Sequence, residues 1–254
     1  MNDTARKLQF QDWVVIPSIE KSGGQIVSWA NRILVNLVEV KFNIITVEVK
    51  IKGILSYISC IYRALNVHDR TARWEYLLTL NEIFNDPWLL VGDMNFILNN
   101  TEKEGGNEAS TSIFNLVHRT IQQIGFMDLG FHGDPFTWSN QREGESNIRE
   151  RIDRGLVNVK WFNVSPDYTV YHLSRVASDH NPLLLDVCPV KLGGSKPYKY
   201  FRGWKEHKDY NMFVENAWSE NRGVSEDNIV QTLKSLATYF GLWNKNIFKN
   251  KEEI

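Results

Sequence analysis

Between residues 13 and 62 the chain alternates short apolar runs with turn residues, and nothing in it repeats at a helical period. Trp13-Val14-Val15-Ile16 gives way to Lys21-Ser22-Gly23-Gly24, a turn, and then to Gln25-Ile26-Val27-Ser28-Trp29. Further runs cover 33–40, 44–49 and 53–62. Ile45, Val47 and Val49 alternate with Thr46 and Glu48, the period of a strand with one face covered. The expectation is an antiparallel, meander-like opening.

The pattern changes near Arg70. From there to Asn85, Trp74, Leu77, Leu78, Leu80 and Ile83 share one broad apolar face, which predicts a helix. Trp88 to Val91 is a continuous apolar run between Pro87 and Gly92, as in a buried strand. Ser110 or Thr111 is placed to cap a second helix bearing Ile113, Phe114, Val117, Ile121 and Ile124. Later strands are predicted over 136–139, 152–157 and 183–187. This mixed order implies layers of sheet covered by helices.

Beyond Cys188 the character shifts again. Gly193, Gly194 and Pro197 break regular structure. Lys191, Lys196, Lys199, Arg202, Lys205 and Lys208 are interleaved with Tyr198, Tyr200, Phe201 and Trp204. That composition suits either stacked bases with bound phosphate or a solvated linker with a few buried rings. Ser225-Glu226-Asp227 then opens a helix with Ile229, Leu233, Leu236, Phe240, Trp243 and Ile247 along a narrow seam. A boundary near residue 189 divides a domain over 1–189 from a linker and amphipathic helix over 190–254.

Composition narrows the function. A hydrophobic share of 43% and a charged share of 23% belong to an ordinary globular protein and exclude global disorder. A net charge of −1 excludes a grip on nucleic acid through the field of the whole molecule, so any such contact must be local. Cys60 and Cys188 form neither a metal-ligand pattern nor a disulfide framework. The N-terminus has no apolar core of a secretory signal, and the longest apolar runs fall far short of the ~20 residues that cross a bilayer. A soluble, intracellular protein, nuclear or cytoplasmic, is expected.

Three short motifs stand at the ends of apolar runs: Gly92-Asp93-Met94-Asn95, Arg151-Ile152-Asp153-Arg154 and Ser178-Asp179-His180-Asn181-Pro182. Carboxylates at strand ends converge readily on one edge of a sheet, on backbone held rigid by the core. Their chemistry suits metal-assisted hydrolysis of a phosphodiester. Carboxylate oxygens suit Mg²⁺, a second carboxylate orients or deprotonates water, and a histidine backed by aspartate presents a polarised ring to phosphate. Singly, each motif has a blander reading. Gly-Asp-x-Asn is often a turn, Asp153 between arginines a surface ion pair, and a lone His180 packing. Arg142, Arg149, Arg151 and Arg154 lie in and around these motifs and either meet a DNA backbone or form a solvated strand face.

Taken in order, the motifs resemble the exonuclease–endonuclease–phosphatase superfamily, most closely the endonuclease domain of plant LINE-type (non-LTR) retrotransposons. The similarity runs from Ser22-Gly23-Gly24 through Val91 to Leu98, Glu102 to Gly106, Phe136 to Asn140, Ile148 to Arg154 and Ser178 to Leu185. Trp243-Asn244-Lys245 matches the segment that leads such proteins toward a reverse transcriptase, which makes a reverse transcriptase region a possible partner.

The resemblance implies a four-layered α/β sandwich of two mainly antiparallel sheets flanked by helices, with a C-terminal helical extension. It also implies Mg²⁺-dependent cleavage of DNA, with Mn²⁺ an alternative cofactor. Asp93 would orient or deprotonate water, Asn95 would hold the phosphate and Asp179 would belong to the metal site. His180 would meet the scissile phosphate with Asp153 orienting its ring, and Tyr62 would steady the phosphate, although Arg63 stands where the family has glycine. The family's opening strand–helix–strand, with its metal-binding glutamate, has no counterpart in this sequence, so a truncated domain of impaired activity is expected. The alternatives are a catalytically inactive remnant or binding module, and a relative acting on phosphoinositides or sphingomyelin.

Overall fold

A computed structural model describes residues 7, 9–10, 12–18, 24–62, 67–107, 111–165, 167–189, 209–220 and 239–240. The chain divides into two compact units, Met1–Val190 and Lys191–Ile254. In the first, β1 (Asp12–Ile16) and β2 (Gln25–Trp29) pair antiparallel as a separate ribbon. They are followed by β3 (Val35–Lys41), β4 (Ile44–Ile51) and β5 (Ile54–Ile61), also antiparallel. Phe42 and Asn43 both have positive φ, as do Lys52 and Gly53. Each pair therefore makes a two-residue hairpin whose twist matches its strands.

Helix α1 (Val67–Ile83) carries the chain over to β6 (Trp88–Asp93), which lies parallel to β5. β12 (Asp153–Val157) runs antiparallel beside β6, and β8 (Met127–Asp128) closes the sheet in the order β3-β4-β5-β6-β12-β8. The apolar run of β6 reflects burial on both faces. Leu90 joins Trp74, Leu77 and Leu80 of α1 and Val117 and Ile124 of α2 (Thr111–Ile124) in one core. Leu89 points the other way, into a core with Leu129, Val157, Trp161 and Val170.

That second core is shared with a three-stranded sheet ordered β14-β13-β9, made of β9 (His132–Gly133), β13 (Thr169–His172) and β14 (Leu183–Asp186). A small ribbon, β10-β11-β7, joins β7 (Lys103–Glu104), β10 (Trp138–Ser139) and β11 (Arg149–Glu150). The one-turn helix α3 (Trp161–Val164) follows β12. The architecture is an α/β sandwich: the six-stranded sheet is covered by α1 and α2 on one face and packs through the other on the second sheet.

Ile83, expected on the apolar face of α1, is 68% exposed, and Phe84 just past the helix end enters the core in its place. The strand expected over 136–139 shortens to Trp138–Ser139, because Phe136 N–H is taken by Asp134 Oδ1 at 2.9 Å. In the second unit α4 (Tyr210–Glu220) packs Tyr210 and Phe213 near the buried Phe240 ring, with centroids 6.0 and 5.3 Å away. The basic stretch 191–208, the turn at 21–23 and the helical seam over 225–247, apart from Tyr239 and Phe240, lie outside the described residues.

Candidate active site

The parallel pairing of β5 and β6 brings their C-terminal ends to one edge, and β12 begins at that same edge. Gly92 has φ +130°, and a Cβ there would stand 2.2 Å from Ile61 O, so no other residue lets β6 lie this close to β5. Gly92→Ala is expected to cost about 3 kcal/mol or more, combining a steric clash with a strained backbone. Urea unfolding followed by tryptophan fluorescence measures it.

Immediately after Gly92, Asp93 Oδ1 accepts from Asn95 N–H at 2.9 Å, and Asn95 sits in the left-handed region at φ 55°. An aspartate so bonded to the backbone two residues on closes a tight local turn. Met94 N–H donates to Ile152 O at 3.0 Å, and Asp153 stands directly opposite Asp93 across the β6–β12 pair. Tyr62, one residue past β5, lies at this edge too, with its N–H donating to Asn43 O at 3.1 Å.

The buried hydroxyl of Thr137 accepts both Ile152 N–H and Asp153 N–H, at 3.0 and 2.9 Å. Its carbonyl accepts from Asn181 N–H at 2.6 Å. One residue thus ties the entry of β12 to the loop carrying His180. His180 Nδ1 lies 2.9 Å from Asp153 Oδ2, and because a carboxylate only accepts, Nδ1 bears the hydrogen. Burial alone would lower the His180 pKa, but the hydrogen bond and charge of Asp153, with the charges of Asp93 and Asp179, outweigh it and raise the pKa above the usual value. Asp179 Oδ2 accepts from Trp138 Nε1 at 3.0 Å. Beside it opens a cavity of about 830 Å³ bordered by Trp138, Asn140, Arg142, Arg175 and Asp179.

Two of the arginines expected to face DNA are buried instead. Arg154 is 0% exposed and bonds Glu102 Oε2 at 2.6 Å, Asp128 Oδ2 at 2.9 Å and Arg151 O at 2.6 Å. Arg151, also buried, bonds Glu102 at 2.8 Å and Asp128 at 2.7 Å. The four side chains form a closed network, so Arg151 and Arg154 are structural and offer nothing to a DNA backbone. Burial would raise the Glu102 and Asp128 pKa values, yet the two guanidinium groups and backbone N–H donors hold both below the usual carboxylate values. Arg149 is on the surface, paired with Glu104 and lying over the Phe136 ring at 4.8 Å.

His172 of β13, buried at 6% exposure, donates from Nδ1 to Asp134 O at 2.6 Å and stacks on Phe131 at 4.3 Å. Burial, with the charge of Arg151, lowers its pKa against the opposing pull of Asp134 O, Asp128 and Asp153. As pH falls through about 6.5 the unfolded chain takes up this proton first, so the native state loses stability. His180 acts oppositely: its contribution is full below that pH and is lost as pH rises through its raised folded value. Between pH 7.5 and 5.5 the urea midpoint of His172→Gln is therefore expected to rise relative to that of wild type. An unchanged difference between the two would refute the assignment.

The donors at the edge are hard carboxylate oxygens, the chemistry of Mg²⁺ rather than of Zn²⁺. Among the described residues no three His, Cys, Asp or Glu side chains gather into a metal cage. The residues present fit an ion held by one or two carboxylates and completed by water and substrate oxygens.

No protein-family model matches the sequence, and no curated protein matches it. Solved structures do. The endonuclease domain of TRAS1, a telomere-specific non-LTR retrotransposon, superposes with a TM-score of 0.52 at 15% identity, covering 75% of this chain and 91% of that domain. TDP2 of D. rerio, complexed with single strand DNA product, gives 0.43 at 13% identity over 71% of this chain and 76% of the other. Staphylococcus aureus beta toxin with bound magnesium ions gives 0.35 at 13% identity over 57% and 54%. The first of these likenesses shows the fold, an α/β sandwich like that of the TRAS1 endonuclease domain.

Proposed function

We propose that this sheet edge hydrolyses the phosphodiester backbone of DNA, as an endonuclease domain of the LINE-type (non-LTR) retrotransposon kind. The observation that carries the reading is the 2.9 Å pairing of His180 Nδ1 with Asp153 Oδ2, beside two further carboxylates whose charge acts on the same ring. The order of the sequence motifs and the likeness to the TRAS1 endonuclease domain support it.

Asp153 fixes Nδ1–H, which leaves Nε2 to meet an oxygen of the scissile phosphate, and the raised pKa favours the charged ring that an anion needs. Asp93, held by Asn95 N–H, orients the attacking water and accepts its proton. The Asn95 amide and the Tyr62 hydroxyl steady the phosphoryl oxygens. Asp179 would hold Mg²⁺, which when bound offsets charge on the phosphate and leaving oxygen. The experiment is nicking of supercoiled plasmid by the full 254-residue chain against Mg²⁺ concentration.

Retention of a labelled duplex with no nicking at any Mg²⁺ or Mn²⁺ concentration would refute the reading and leave a chain that holds DNA without cutting.

A further inference from the structure

The loop bearing Asp179 and His180 is fastened to β10 largely through its main chain. Trp138 and His180 form an isolated antiparallel bridge, Ser139 N–H donates to Asp179 O at 3.1 Å, and Asn181 N–H donates to Thr137 O at 2.6 Å. These bonds settle where the backbone of residue 179 lies and leave open where its carboxylate points. Asp179 is exposed and ends a run of bends over 176–179, a setting in which χ1 of an aspartate samples more than one staggered well. A side chain restricts it: Trp138 Nε1 donates to Asp179 Oδ2 at 3.0 Å. An indole is a donor only, with a single N–H on a rigid ring. It meets an acceptor such as a carboxylate and has nothing to offer a competing donor. Trp138 is itself half-buried and sits on a strand paired on one side with β11 and bridged on the other to His180.

We infer that Trp138 is a positioning residue, whose indole N–H holds the Asp179 carboxylate in the orientation that receives a divalent cation. The inference rests on the phosphodiesterase reading above. Carboxylates that ligate a metal are held by hydrogen bonds from behind, and removing such a bond commonly weakens metal binding 10- to 100-fold, roughly. Fixing the rotamer beforehand also removes an ordering cost from the binding step. Phenylalanine at 138 keeps an aromatic ring on β10 and deletes only the donor.

The full chain is compared with Trp138→Phe, Asp179→Asn and the double variant. Mn²⁺ binding is read from the electron paramagnetic resonance of the free ion, and the indole N–H groups are followed by NMR. Trp138→Phe is expected to weaken Mn²⁺ binding at least ~10-fold with an unchanged thermal midpoint. Asp179→Asn weakens binding by at least as much and moves the one indole resonance that Trp138→Phe deletes. The double variant binds no worse than Asp179→Asn alone, as for two residues acting as one unit. Unaltered Mn²⁺ affinity in Trp138→Phe, an indole resonance indifferent to Asp179→Asn, additive losses in the double variant, or a wild type that binds no Mn²⁺ would each overturn the inference. None of these readouts uses DNA cleavage. A chain that shows the coupling and never nicks DNA would refute the proposed function and leave the role of Trp138 standing.

Discussion

Arg154→Leu is expected to destabilise the domain by about 3–5 kcal/mol, the usual result of breaking a buried ion network from one side. The guanidinium has no exposure and reaches Glu102, Asp128 and the Arg151 carbonyl. Leucine refills part of the volume but leaves two carboxylates facing Arg151 alone, with one positive charge for two negative. A loss of that size is a large share of the ~5–15 kcal/mol that holds a typical domain. The same network adds a pH dependence of known sign. Glu102 and Asp128 have depressed pKa values in the fold, so their stabilisation is present above the usual carboxylate pKa and is lost as pH falls through the folded values. Urea midpoints of wild type and variant should therefore converge as the solution is acidified below pH ~4. A variant within about 1 kcal/mol of wild type at pH 7 would show that the network is dispensable.

Features written in neighbouring residues were legible in the sequence. The run at Trp88–Val91 announces a strand because both its faces are apolar, and the structure sends Leu89 and Leu90 into different cores. Asp93, Asp153 and His180 stood out because each ends an apolar run, and the structure gathers them at one edge. Features whose partners are remote were not legible. Arg151-Ile152-Asp153-Arg154 looks like a solvated basic face, and only Glu102 and Asp128, 52 and 26 positions from Arg154, turn its arginines inward. Thr137 carries no local sign that its hydroxyl will accept two backbone donors from residues 15 and 16 positions on. The two-residue strands at 103–104, 127–128 and 132–133 are too short for any period to reveal. Ile83 and Phe84 differ by a single step at a helix end, where packing rather than pattern decides which side chain is covered.

Those remote contacts also bear on the chemistry. The backbone of Asp153 is held by Thr137 on one side and enters a strand whose next residue, Arg154, is locked in the ion network. The carboxylate that pairs with His180 is therefore borne on rigid backbone, the condition under which a hydrogen-bonded pair keeps its geometry through a reaction. Variants of the network are expected to report on stability first, and variants of His180 and Asp153 on activity with the fold intact.

His180→Ala is accordingly expected to lower Mg²⁺-dependent nicking by at least ~10²-fold, the scale of a group that acts directly on the reacting phosphate. The imidazole lies toward the surface of the domain and packs into neither core, so at alkaline pH, where its paired charge is lost, its removal should leave the unfolding midpoint close to that of wild type. Asp93→Asn is expected to match that loss, since an amide cannot take the proton of water. The decisive measurement is the initial rate of supercoiled-plasmid nicking by highly purified wild type, His180→Ala and Asp93→Asn, at several Mg²⁺ concentrations and in EDTA. Nicking is expected to require the metal and to fall at least ~10²-fold in both variants; equal rates in all three proteins would contradict the assignment of His180 and Asp93.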